Sequence, residues 1–166
     1  MVEPWLRGTL TEVDAVRRGV LHALKLAAED VERWCAPLSD EEVEARPLGL
    51  ASVGFHLRHI ARSLDRLLTY AEGQKLNDAQ MTALRTEMEN SGAREAMLME
   101  FVKAMEVSVD RVMAISPRSY EEARAVGRKM LPTTVGGLLV HCAEHTQRHA
   151  GQMVTTAKVV MGVRAG

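Results

Sequence analysis

Apolar residues in this chain recur every three or four positions over long stretches, and almost nowhere do they alternate. That regularity decides the fold class. A period near 3.6 turns one stripe of a helix inward, whereas a period of two builds a half-buried strand. From Thr11 to Cys35 the stripe is Val13, Val16, Val20, Leu24, Ala27, Val31 and Trp34, and Pro37 stops it. Ser52 is expected to cap a second helix that ends near Ala71, ahead of Gly73, with Val53, Leu57, Ile60, Leu64, Leu67 and Leu68 on its apolar arc. A third helix spans about Ala93 to Ile115 before Ser116-Pro117, with Met97, Phe101, Met105 and Met113 read as core filler. The fourth begins at Thr133 or Thr134, just after Pro132, and runs to about Met161. Between them, 38–51 reads as a connection with a short turn capped by Ser39 or Asp40. Residues 74–90 carry a short helix after Asn77-Asp78, and 116–132 form a polar connection.

Four long amphipathic helices predict an all-α four-helix bundle, and 166 residues are one domain's worth, 1–166. Hydrophobic residues at 46% and charged residues at 26% exclude a disordered chain. A net charge of −1, with Lys and Arg spread along the chain, argues against a nucleic-acid partner held by an electrostatic field. No apolar run approaches the length of a membrane span, and the start lacks the apolar core of a signal peptide. Cys35 and Cys142 allow one disulfide at most, so a reduced, cytoplasmic protein is expected. No Ser-His-Asp order, P-loop or Gly-rich dinucleotide fingerprint is present.

The fourth helix carries HCAEHTQRHAGQM at 141–153, which holds His141, His145 and His149, three of the six histidines. His145 and His149 lie about 40° apart on a helical wheel, one turn above the other. Both fall on the stripe Val135, Leu138, Cys142, His145, His149, Met153, Thr156, which points them at the core. Two imidazoles there need partners for their nitrogens, and an inward i, i+4 pair is also the geometry that grips one metal ion. His141 lies toward the margin of the buried arc and reads as a flanking residue bonded to a backbone carbonyl. Cys142 reads as a small core residue before it reads as a soft ligand. Glu144 is on the wrong side of the helix to share the stripe. A facing helix must supply any further ligand. The second helix offers His56 and His59, and periodicity mildly prefers His56, which lies nearer the apolar arc. His22 faces away from its stripe and reads as solvated.

SVGFHLRHIARSLDRLL, 52–68, resembles the second helix of the DinB/YfiT-like metalloenzyme family, and TTVGGLLVHCAEHTQRHAGQM, 133–153, resembles its fourth. Helix count, order and spacing extend the resemblance over nearly the whole chain. It implies a metal held by one histidine of the second helix, seven residues after the Ser or Thr that opens it, and by the His-x3-His pair that precedes a Gly-Gln. Those positions are His59, His145 and His149, with Gly151-Gln152 following. The resemblance thus departs from the periodicity, which leans to His56. The Arg usual before Gly-Gln is Ala150 here, which leaves a role for that Arg unassigned.

Three imidazoles with open positions form a catalytic layout more than a structural one. Borderline nitrogen ligands suit Zn, Ni, Fe or Co, and the set alone does not pick among them; Zn or Ni is the expected occupant. Such a cation lowers the proton affinity of a water or small thiol at its open position. The resemblance implies a small-molecule substrate and a low-molecular-weight thiol, in a thiol S-transferase or hydrolase-like reaction, and a homodimer. Two further readings stand beside it: a non-catalytic metal-binding or stress-response dimerisation module, and a plain bundle whose histidines pair with each other or with water. Gln152 reads either as a substrate or ligand contact or as a polar rim residue. Arg58, Arg62 and Arg66, one turn apart, read as a solvated face paired with neighbours such as Asp65 before they read as a carboxylate anchor.

Overall fold

The computed structural model describes residues 2–89 and 92–165. The chain runs α1 (Ala15–Cys35), α2 (Asp40–Glu44), α3 (Val53–Ala71), α4 (Asp78–Arg85), α5 (Arg94–Ala114), β1 (Ala123–Val126), β2 (Leu131–Thr134) and α6 (Val135–Ala165). It is mostly helical, with one small two-stranded sheet. Among the described residues, no helix is long and apolar enough to cross a membrane. Asn90, the last residue of the expected 74–90 segment, and the terminal Gly166 lie outside the described residues.

Local chemistry sets most helix starts. Asp14 caps α1 by accepting from the amides of Val16 and Arg17, so the helix begins at Ala15 and not at Thr11. Val13 is buried although it precedes the helix. Ser39 and Glu42 close a capping box on α2, and Asn77 and Gln80 do the same on α4. The Ser52 hydroxyl accepts from the Phe55 amide at the head of α3.

The four long helices pack in pairs, α1 and α3 each lying against both α5 and α6. Val20, Leu24 and Val31 of α1, Leu57, Ile60 and Leu64 of α3, Phe101 of α5, and Leu139 and Met153 of α6 are buried together between them. Met113 is exposed and takes no part in this core, because it lies beside the buried Val112 on the outer side of α5.

The connection 116–132 is only partly irregular. β1 and β2 pair antiparallel, with Ala123 opposite Thr134 and Val126 opposite Leu131. Gly127 and Met130 carry the positive φ values of the tight loop between them, 70° and 49°. Each strand has four residues with no fully buried face, so the apolar alternation that marks a strand is missing. Pro132 is tolerated because two strands have only edges. The hairpin delivers the chain directly into α6: the Val135 amide donates to Glu122 O, the Gly136 amide to Tyr120 O, and the Gly137 amide to the Thr134 hydroxyl.

Candidate metal centre

α3 and α6 face each other, and four histidines meet across that contact: His56 and His59 from α3, His145 and His149 from α6. The buried line of α6 runs Leu139, Cys142, Thr146, Ala150, Met153, Ala157. His145 and His149 each precede a member of that line by one residue, about 100° around the helix. They therefore flank the core, half-buried, rather than interrupt its centre as the sequence stripe suggested. On α3 the same offset holds: His56 precedes Leu57 and His59 precedes Ile60, both fully buried. The four rings form a polar seam along one side of the core.

Within that seam His59, His145 and His149 each offer a ring nitrogen, and the three atoms lie within 4.8 Å of one another. The Nε2 atoms of His59 and His145 are 3.3 Å apart. Two nitrogens bound tetrahedrally at about 2.0–2.1 Å from one zinc ion stand about 3.3 Å apart, so this pair already has ligand spacing. The donor set fits a borderline divalent cation. The ring centroids of His59 and His149 are 4.3 Å apart and those of His145 and His149 4.5 Å, which leaves the third imidazole close at hand. Phe55 stacks on His59, with centroids 5.2 Å apart and planes 16° from parallel.

Burial and the neighbouring imidazoles hold His56, His145 and His149 down to about 4, so these three are neutral at pH 7. Neutral imidazoles are the form that can ligate a cation. Glu87 is the one buried carboxylate of the seam and lies in the turn after α4. Its Oε2 is 2.9 Å from His59 Nδ1 and its Oε1 is 2.7 Å from Arg66 Nη1. Burial pushes Glu87 upward, and the hydrogen bonds from His59 and Arg66 outweigh it, so the carboxyl titrates below its usual range.

Beside the seam lies a cavity of about 470 Å³ whose walls include Ala51, Phe55, His56, His149 and Gln152. Gln152 is exposed, as its rim reading has it, and lines this cavity together with His56, His149 and Arg148. His56 is more buried than His59, as the helical wheel suggested, yet the grouped donors include His59 and not His56. His141 stands outside the group, and its Nδ1 meets Glu144 Oε1 at 2.7 Å instead of a backbone carbonyl. Cys142 is fully buried, which pushes its thiol up to about 12 and makes it an inert core residue. His22 is half-buried and faces the Thr9 hydroxyl at 3.3 Å, so it is not simply solvated.

The arginine ladder is not a solvated face. Arg58 is 1% exposed and pairs with Glu44, Arg62 pairs with Glu100, and Arg66 pairs with Glu87. Asp65 pairs with Arg111 instead. Glu87 could not be read from the sequence. It is 28 residues from His59, in a segment without periodicity, and only the packing of α4 on α3 brings it to the seam.

The model of the DinB superfamily matches residues 23–153, a span that holds α3 and all four seam histidines. A comparison with curated proteins finds no match.

Proposed function

The chain belongs to the DinB superfamily, and from that premise we propose that it is a single-domain four-helix bundle of the DinB/YfiT-like type whose His59, His145 and His149 hold a catalytic divalent cation. The observation that carries this reading is the convergence of one nitrogen from each histidine within 4.8 Å, from two helices distant in sequence. Three imidazoles suit Zn, Ni, Fe or Co, and Zn or Ni is the occupant we assign. When bound, such a cation supplies Lewis acidity, which lowers the proton affinity of a small thiol or water at its open position. The chain's own residues do the rest. Phe55 and Ala51 give the adjoining groove an apolar wall against which an electrophilic substrate can lie, and Gln152 at its rim offers an amide to orient it.

Thiol S-transfer is the reaction we assign, because a cavity next to the donor atoms suits a second substrate, which a non-catalytic module does not need. A homodimer belongs to the same proposal, supported by the apolar side chains that α5 leaves exposed, Met99, Val102 and Met113. So does a cytoplasmic setting, supported by two free, buried cysteines.

Elemental mass spectrometry on protein purified without a histidine tag tests the metal. About one ion per chain is expected, retained when His56→Ala is given excess Zn and lost in His59→Ala and His149→Ala. Wild-type protein that takes up no metal when Zn or Ni is supplied would overturn the reading. Consumption of a low-molecular-weight thiol by the loaded protein in the presence of an electrophile then tests the reaction class.

A further inference from the structure

We propose that Glu87, Ser63 and His56 are positioning residues that fix His59, His145 and His149, respectively, as ligands through Nε2. This inference rests on the metal-binding reading above. Each of the three histidines has its Nδ1 engaged by one partner, and the partners come from α3 or from the turn after α4.

The proton positions follow from what each partner can do. Glu87 lies between His59 and Arg66 as a carboxylate, which only accepts, so the hydrogen of His59 sits on Nδ1 and its Nε2 carries a free pair. Ser63 Oγ is 3.4 Å from His145 Nδ1 and 3.1 Å from Ile60 O. The single hydroxyl hydrogen goes to the carbonyl, so the oxygen accepts from His145 Nδ1–H, and again Nε2 is left free. His149 Nδ1 faces His56 Nδ1 at 3.2 Å, a distance at which the two nitrogens share one hydrogen. With that hydrogen on His149, His56 accepts and carries its own on Nε2. The assignment leaves an unshared pair on both His59 Nε2 and His145 Nε2, which stand 3.3 Å apart. Two unshared pairs repel at that distance, and a cation between them turns the repulsion into coordination.

His56 therefore has a place in the site without being a ligand. It is the most buried of the four seam histidines, and its Nδ1 is occupied by His149. Partners of this kind orient a ligating ring and raise its basicity.

Full-length protein labelled with ¹⁵N in its histidines and loaded with Zn(II) alone tests the assignment through long-range ¹H–¹⁵N spectra of the ring nitrogens. The expected result is a metal-bound Nε2 and a protonated Nδ1 in His59, His145 and His149. Ligation of any of them through Nδ1 overturns it. In chelator competition for Zn(II), Glu87→Gln, Ser63→Ala and His56→Ala should each weaken binding by about 10–100-fold with an unchanged far-UV spectrum. Ser63→Thr keeps the hydroxyl and should keep the affinity. Full affinity in all three variants overturns the positioning roles while the metal site stands. A wild-type protein that binds no Zn(II) brings down the metal reading and this proposal with it.

Discussion

Removing the Glu44 carboxylate should damage this protein more than a change in a five-residue helix would suggest. Arg58 is the largest fully enclosed side chain among the described residues, 1% exposed. Its Nη1 is 2.7 Å from Glu44 Oε1 and 2.9 Å from Met97 Sδ, and its Nε has no partner. Glu44 Oε2 also accepts from the Ser52 hydroxyl at 3.2 Å, which ties the end of α2 to the cap of α3. Glu44→Ala leaves a guanidinium in the core without its counter-charge, a loss of about 3–5 kcal/mol. At roughly 2–4 °C per kcal/mol for a chain of this size, the Tm should fall by about 6–20 °C. Urea denaturation followed by circular dichroism reads the free energy directly, provided the slope with denaturant is unchanged. The double variant Glu44→Ala with Arg58→Met removes both charges and should recover most of the loss, since a buried pair is often matched by an apolar filling of similar volume. A loss below about 1 kcal/mol in Glu44→Ala, or a double variant as unstable as the single one, would refute the claim that this pair is tightly enclosed.

Further outcomes follow from other contacts. An ideal Cβ on Gly54 would stand 2.8 Å from Met97 Sδ and 2.9 Å from Glu44 Oε1, so Gly54→Ala should displace the same carboxylate and cost about 1–3 kcal/mol in the same urea assay. Asp14 feels burial, which pushes it up, and stronger hydrogen bonds from Tyr120 and Arg17, so it titrates at about 2 against an ordinary 3.8. A depressed carboxylate contributes stability that is full above 3.8 and lost as pH falls through about 2. Asp14→Ala should therefore cost about 1 kcal/mol at pH 6, with the gap to wild type closing between pH 4 and pH 2; a constant gap over that range would refute the linkage. Zn(II) at a hundred times its Kd should stabilise the fold by about 2.7 kcal/mol, a rise in Tm of roughly 5–11 °C that His59→Ala abolishes.

Much of the fold was legible because it is written in local chemistry. Ser52, Ser39 and Asn77 each cap the helix that the sequence assigned to that place, and the α3 arc is buried where its period put it except for Leu67, which is half-buried. The hairpin was not legible, since backbone pairing over four residues leaves no alternation when neither strand has a fully buried face and only Val126 packs against the core. At the site, the i, i+4 pair on α6 could be read from spacing, and the choice of His59 came from resemblance to a family and not from the helical wheel. The wheel measures burial, and it was right that His56 is the more buried; burial selects the supporting ring here and not the grouped donor. Arg58 misled for a related reason. A charged residue is read as solvated by default, and only Glu44, fourteen residues upstream on another helix, lets it enter the core.

His59 and His145 are 86 residues apart in the chain, and everything from α4 through the hairpin lies between them. An ion held by both would act mechanically as a clasp on a closed loop. Pulled from its two ends in an optical trap, the metal-loaded chain would unravel only outside the clasp at first, and the enclosed residues 60–144 would stay hidden from the force. At about 3.4 Å per extended residue the hidden length is roughly 290 Å, released in a single step when the clasp opens or a chelator is added. With an ion bound, the histidine seam would divide the chain into a portion that bears load and a portion that is sheltered from it.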